Sequence, residues 1–240
     1  MRRRIFAAAL VVFALASATA QSQESLASHL VAAAPAANPK VLALAARAAD
    51  CARRQGLLAS FHHLAVIDYS LPSTQPRLWV FDVDKGRLLF QELVAHGRNT
   101  GEATARRFSN VDGSKMSSLG LYQTAETYYG SNGYSLRLRG LDSGFNDRAL
   151  ERAIVMHGAS YVSAAIAEHM GRLGRSWGCP AVRQEVARGV IDTLKGGALL
   201  FAYYPDSKWL SESTFFKCGA GADRPSQVVA STGAAGHNHG

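Results

Sequence analysis

Leu78-Trp79-Val80-Phe81-Asp82-Val83, Asp84-Lys85-Gly86 and Arg87-Leu88-Leu89-Phe90-Gln91-Glu92-Leu93-Val94 follow one another without a break. Two runs rich in β-branched and aromatic residues flank a short Asp/Gly turn, the signature of a β-hairpin. The same signal recurs outward from it. Leu64 to Tyr69, Leu119 to Thr124, Tyr134 to Arg139, Arg152 to His157 and Ala198 to Tyr204 are further short apolar runs, the last closed by Pro205. Gln184 to Leu194 reads as a short helix among them. This spacing predicts a mostly β fold with a few helices, in which an antiparallel or mixed sheet closes on itself.

The flanks differ in character. Residues 21–62 form an N-terminal accessory helical segment. Asn38 is suited to an N-cap and Pro39 to the first helical position, and Val41, Leu44, Ala48 and Cys51 then share one face, with Gly56 as a stop. Residues 1–20 read as a secretory leader: Arg2 to Arg4, an apolar stretch from Ile5 to Ala16, then Ala18-Thr19-Ala20 as the cleavage site. The β domain spans 63–206 and a C-terminal extension spans 207–240, disordered from about residue 219, where Gly, Ala and Ser dominate. His237 and His239 belong to that tail and read as solvated rather than metal-binding.

Composition narrows the function classes. Of 240 residues 48% are hydrophobic and 18% charged, with a formal net charge of +8. So apolar a chain is not intrinsically disordered, and its longest apolar run is too short for a membrane span. No basic stripe with interleaved aromatics suggests nucleic acid. Without the leader the balance is +5 over 220 residues, which suits an anionic partner such as a cell-wall polymer. The expectation is export to the periplasm by the general secretory route, with no stable membrane anchor, metal or cofactor.

The chemistry-bearing stretch is Ile154-Val155-Met156-His157-Gly158, followed by Gly174-Arg175-Ser176-Trp177-Gly178-Cys179-Pro180-Ala181-Val182-Arg183. A strand delivers a histidine into a glycine turn, and a cysteine stands 22 positions later between Gly178 and Pro180. A thiol is mostly protonated at neutral pH, so a nearby imidazole is what turns it into an attacking thiolate. Gly178 permits close approach of a ligand, and local N–H groups could hold an oxyanion. Residue chemistry alone leaves two readings open: a Cys/His nucleophile, or a structural cysteine with a satisfied core histidine.

The block resembles the active-site signature of L,D-transpeptidases with the YkuD-type catalytic domain. His157-Gly158 and Ser176-x-Gly178-Cys179 match it, and Ser118-Leu119-Gly120-Leu121-Tyr122 resembles the strand that leads to the site. Ala95 to Gly101, Arg107 to Asn110, Leu173 to Ser176 and Gly178 to Ala181 are most similar to a proteobacterial branch of murein L,D-transpeptidase catalytic-domain proteins. There are departures. Trp177 stands where the family usually has His, and the arginine after the nucleophile is Arg183, four residues on rather than two.

The resemblance implies a YkuD-like sheet over residues 63–206, with Cys179 as nucleophile and His157 as its base. Gly178, Ser176 and Gly158 would shape the oxyanion turn. It implies acyl transfer between peptidoglycan stem peptides through a thioester, giving 3,3 or 1,3 cross-links, and susceptibility to carbapenem-type inhibitors. Water as acceptor would give an L,D-carboxypeptidase, an amino acid would give D-amino-acid exchange, and a chain that kept the fold without activity would be a wall-binding scaffold. Arg175, Arg183, Tyr122, Trp177 and His169 are substrate-binding candidates. Arg175 reads equally as a stem-carboxylate ligand or a loop charge, and His169 as a support of the site or a surface residue. Arg106 and Arg107 read as a loop pair that could line a groove. If Cys179 stays free, Cys51 and Cys218 are left to form a disulfide in an oxidising compartment.

Overall fold

A single residue, Leu93, separates β3 (Arg87–Glu92) from β4 (Val94–Ala95), yet these strands stand at opposite ends of one nine-stranded sheet. The other strands are β1 (His63–Asp68), β2 (Leu78–Asp82), β5 (Gly120–Gly130), β6 (Gly133–Gly140), β7 (Val155–Ala159), β8 (Ala181–Arg183) and β9 (Leu199–Tyr203). Their order is β3-β2-β1-β9-β5-β6-β7-β8-β4. A chain that steps from the first strand to the last across one residue obliges the sheet to curl until its edges meet. Hence the sheet is mixed and nearly closed. Of its eight pairings, β1–β9 and β7–β8 are parallel and the other six antiparallel.

Side chains seal the seam. Arg183 of β8 donates twice to the Glu92 carboxylate of β3, at 2.8 and 2.7 Å. Arg77 is fully buried just below, and its guanidinium donates to the Val94 carbonyl at 3.0 and 2.8 Å. Paired charged hydrogen bonds of this kind are the strong ones, and they fix the register where the two edges meet.

This computed structural model describes residues 26–58 and 60–218. The leader, the tail from residue 219 and its His237 and His239 lie outside the described residues. Helix α1 is described over 26–33, followed by α2 (Pro39–Arg54), α3 (Ala164–Met170), α4 (Gln184–Leu194) and α5 (Ser207–Glu212). In α2 the Asn38 side chain accepts from the Lys40 N–H at 3.0 Å, Pro39 opens the helix, and Gly56 follows its end at φ 71°. The capping signals therefore act where the sequence puts them. Val41, Ala48 and Cys51 are buried and Leu44 half-buried.

Several boundaries differ from the sequence reading: the run Arg87 to Val94 breaks at Leu93, and the strand read as Leu119 to Thr124 runs on to Gly130. Strand β7 begins at Val155 rather than Arg152, because Ala153 adopts φ 52° and ends a turn there. The segment after residue 206 is not an appendage. Trp209, Phe215 and Phe216 enter the same core as Leu30 and Leu42, so both flanks share one apolar interior with the sheet. Asp142, itself buried, accepts from Trp209 Nε1 at 2.8 Å and Ser213 Oγ at 2.9 Å and holds that segment in place. Elements of three to six residues carry too few apolar positions for a period to show. Cys51 and Cys218 form a disulfide with Cα atoms 5.6 Å apart, tying α2 to the end of the chain.

Candidate active site

The parallel pairing of β7 with β8 builds the site. His157 stands opposite Ala181, so Cys179, two residues earlier, falls on the same face as Ala181 and one diagonal from His157. The His157 N–H donates to the Pro180 carbonyl at 3.4 Å, and the Val155 N–H points to Cys179 Sγ at 3.4 Å. Pro180 has no N–H of its own, and its carbonyl takes the ladder bond there. The register thus sets Cys179 against Val155, two residues before His157 on the neighbouring strand.

His157 is 4% exposed, and its Nδ1 lies 2.9 Å from the Gly158 carbonyl. A carbonyl accepts only, so Nδ1 carries the proton and Nε2 presents a lone pair. Burial holds the imidazole below its ordinary pKa, against the opposing pull of that carbonyl. Cys179 is free and half-buried. Burial pushes its thiol up, while the Val155 N–H and the charge of Arg152 draw it back. Its Sγ contacts backbone, the Val155 N–H and the Ala153 carbonyl at 3.8 Å. Both shifts favour the uncharged forms, a thiol at Cys179 and an imidazole at His157.

The turn before Cys179 is clamped by hydroxyls. Ser176 Oγ accepts from the Gly178 N–H at 3.0 Å and donates to the Cys179 carbonyl at 2.6 Å. Ser117 Oγ accepts from the Gly97 N–H and donates to the Gly178 carbonyl, each at 3.0 Å. Gly178 has φ 129°, and a Cβ there would lie 2.8 Å from the Met116 carbonyl, so no other residue fits without strain. The Gly178 N–H is taken by the Ser176 hydroxyl, so both residues shape the turn before Cys179. Gly158 serves packing and orientation. A Cβ on it would lie 2.7 Å from Ala187 of α4, and its carbonyl aims His157.

The substrate-binding candidates separate. Trp177 is 71% exposed, with Lys115 Nζ 5.0 Å above its ring, and forms an open aromatic plate two residues before the thiol. Arg175 faces a cavity, donating to the Arg98 and Gly101 carbonyls and to Glu102 at 2.6 Å. Arg183 is corrected: its guanidinium is committed to Glu92 at the seam. Tyr122 is also corrected, since it is buried and its hydroxyl donates to the Ser118 carbonyl at 2.9 Å. His169 is exposed in the last turn of α3, with no contact to Cys179. Arg152 went unnoticed in the sequence. It donates to the Met116 and Ser109 carbonyls, each at 2.8 Å, and its charge reaches Cys179. Ser117 went unnoticed too, and an Arg or Ser in a polar loop gives no pattern to read.

Residues 33–203 match the family model described as the L,D-transpeptidase catalytic domain. The chain belongs to that family. Among solved structures, an L,D-transpeptidase from Mycobacterium smegmatis is 13% identical with a TM-score of 0.37, the match covering 60% of this chain and 59% of that one. The LD transpeptidase LdtMt1 in complex with imipenem is also 13% identical with a TM-score of 0.37, covering 59% of each chain. The helical cell shape determining protein Pgp2 from Campylobacter jejuni, as a K307A mutant, is 10% identical with a TM-score of 0.37, covering 60% of this chain and 47% of that one. The L,D-transpeptidase domain described here thus spans about three-fifths of the length of the first two structures. No curated protein matches the chain.

Proposed function

We propose that this protein is a peptidoglycan L,D-transpeptidase that joins stem peptides by 3,3 or 1,3 cross-links through a thioester on Cys179. One observation carries the reading: β7 bears His157, its Nδ1 proton on the Gly158 carbonyl, and two residues earlier meets the free Cys179 thiol through the Val155 N–H. Family membership supplies the reaction class.

The steps follow from those groups. Sγ attacks the carbonyl of the donor stem while His157 Nε2 takes the thiol proton. The carbonyl electrons move onto oxygen, then return and expel the amine of the residue beyond, which leaves with the proton from Nε2. The thioester remains. The side-chain amine of an acceptor stem then attacks it, gives its proton to His157, and Cys179 leaves as the thiol. Water in the amine's place gives an L,D-carboxypeptidase; a free amino acid gives exchange. The exposed ring of Trp177 offers a surface for either stem. Export to the periplasm, read from the leader, would bring the enzyme to this substrate and its disulfide to an oxidising compartment.

Purified protein incubated with intact peptidoglycan, followed by mass spectrometry of the muropeptides, separates 3,3 linkage, 1,3 linkage, hydrolysis and exchange. Imipenem, which one structural neighbour holds, is expected to add its mass to Cys179 and to leave Cys179→Ala unchanged. Wild-type protein that neither takes up imipenem nor alters muropeptides would be a wall-binding scaffold.

A further inference from the structure

A cavity of about 810 Å³ opens on the loop before β5 and carries four guanidinium groups, Arg98, Arg106, Arg107 and Arg175, against one carboxylate, Glu102. Glu102 is shared by Arg175 at 2.6 Å and Arg172 at 3.1 Å. Among the described residues, Arg98, Arg106 and Arg107 have no acidic partner, and all three are exposed. Three unbalanced guanidinium groups in one concavity make a site for a multiply charged anion.

The loop that holds them is built rather than loose. The Thr100 carbonyl accepts from the N–H groups of Arg106 and Arg107 at 2.8 and 3.0 Å, and Thr100 Oγ1 accepts from the Ser117 N–H at 2.8 Å. Gly101 permits the tight turn, because a Cβ there would collide with the Thr104 carbonyl. His96 is fully buried beneath, its Nδ1 accepting from Arg77 at 2.8 Å and its Nε2 aimed at the Gly101 carbonyl at 3.3 Å. That carbonyl also accepts from Arg175 at 3.1 Å. The arginines are therefore positioned before any ligand arrives.

The cavity is tied to the nucleophile by the chain. The Ser176 N–H donates to the His96 carbonyl at 3.0 Å, and the Arg98 N–H donates to the Ser176 carbonyl at 2.8 Å. Arg175 precedes Cys179 by four residues, so their Cα atoms are at most about 14 Å apart. An extended tripeptide has a similar reach. The cavity at the seam carries Glu92, Glu168 and Glu185 against Arg183 and would hold an amine as a cation. The arginine cavity does the opposite: its positive field favours the uncharged, nucleophilic form of an amine brought near it.

We infer that the Arg98–Arg106–Arg107–Arg175 cleft is the acceptor subsite, holding the carboxylates of the acceptor stem while that stem's side-chain amine reaches the Cys179 thioester. The inference rests on the function proposed above and names which substrate enters on this side.

The test uses full-length Cys179→Ala protein, which cannot turn over, and a synthetic stem tripeptide (L-Ala, γ-D-Glu, meso-diaminopimelate) in two forms, free carboxylates and full carboxamide. Calorimetric titration is expected to show the acid form binding at least tenfold tighter, with the advantage shrinking as salt rises. Adding Arg106→Gln and Arg107→Gln should remove that advantage, whereas Arg139→Gln, exposed on β6 away from the cleft, should keep it. Equal affinity for acid and carboxamide, which needs no protein variant, overturns the inference. So does an advantage that survives the double substitution, or inorganic phosphate binding as tightly as the tripeptide. Wild-type protein that imipenem does not acylate removes the reaction itself and with it the acceptor role. That result is read separately from the binding data.

Discussion

Arg175 stands four residues before Cys179 and Arg183 four residues after it. Each forms an ion pair, Arg175 with Glu102 at 2.6 Å and Arg183 with Glu92 at 2.7 Å. The partners differ. Glu102 is 70% exposed at the mouth of a cavity, while Glu92 is 10% exposed where the two sheet edges meet. The same residue type at the same offset thus lines an open cavity on one side and closes the fold on the other. Cys179 sits between an open side and a closed one.

The sharpest test of that boundary is Cys179, the nucleophile of the proposed function. Cys179→Ala should abolish imipenem acylation outright, and His157→Gln should slow it by about 10² to 10⁴-fold, the range for removal of a positioned general base. Because both shifts favour the uncharged forms, alkylation of Cys179 by iodoacetamide should rise with pH along a curve displaced above that of an ordinary thiol. The burial-lowered imidazole should leave that curve little changed in His157→Gln. A thiolate already abundant at pH 6 in wild type, and lost in the variant, would replace this picture with a preformed ion pair.

The open side has its own signature in pH. Burial and the adjacent Arg77 charge hold His96 down at about 4. Between that value and the ordinary histidine pKa near 6.5, the unfolded chain binds a proton that the fold refuses. Stability contributed by neutral His96 is therefore whole above about pH 6.5 and lost as pH falls toward 4, by on the order of 3 kcal/mol. Urea unfolding at pH 7.5 and 4.5 reads it directly. Wild type should lose more across that interval than His96→Gln, and equal losses would mean that His96 takes up its proton as freely folded as unfolded.

The extent to which this division is visible in the sequence varies by element. The hairpin at Asp84-Lys85-Gly86, the capped helix from Asn38 and the helix Gln184 to Leu194 are local patterns, and they fold as read. His157 and Cys179 stand out in the sequence because a motif marks them. Closure of the sheet is not, since it depends on β3 and β4 parting at Leu93 to opposite edges. Nor is the role of Arg183, whose partner Glu92 lies 91 positions away, or of Ser117, whose hydroxyl clamps Gly178 from 61 positions away. Interactions at such separation leave no trace in periodicity, so identical arginines either side of the thiol read alike.

On the shut side, Glu92→Gln should cost about 1 to 3 kcal/mol, as expected for losing charged hydrogen bonds to a mostly buried group. Tm by calorimetry checks it, and a change within error would mean that the seam is held by the Val94 contacts of Arg77 alone.

The smallest effect is the most instructive. Glu102→Gln removes the carboxylate shared by Arg175 and Arg172, but it is mostly exposed, and surface pairs of this kind contribute about 0 to 1 kcal/mol. Stability should barely move. The local field should move, because the only carboxylate among the residues lining the cavity is gone. Affinity for the acidic stem tripeptide should rise severalfold while Tm stays within about 2 °C, the reverse of the outcome for Glu92→Gln. Removing an equivalent carboxylate from each of the two arginines thus separates their tasks: one loss is read in the melting curve, the other in ligand binding. If Glu102→Gln instead lowered both stability and affinity, the carboxylate would be holding Arg175 in place rather than balancing its charge, and the open side would be as structural as the seam.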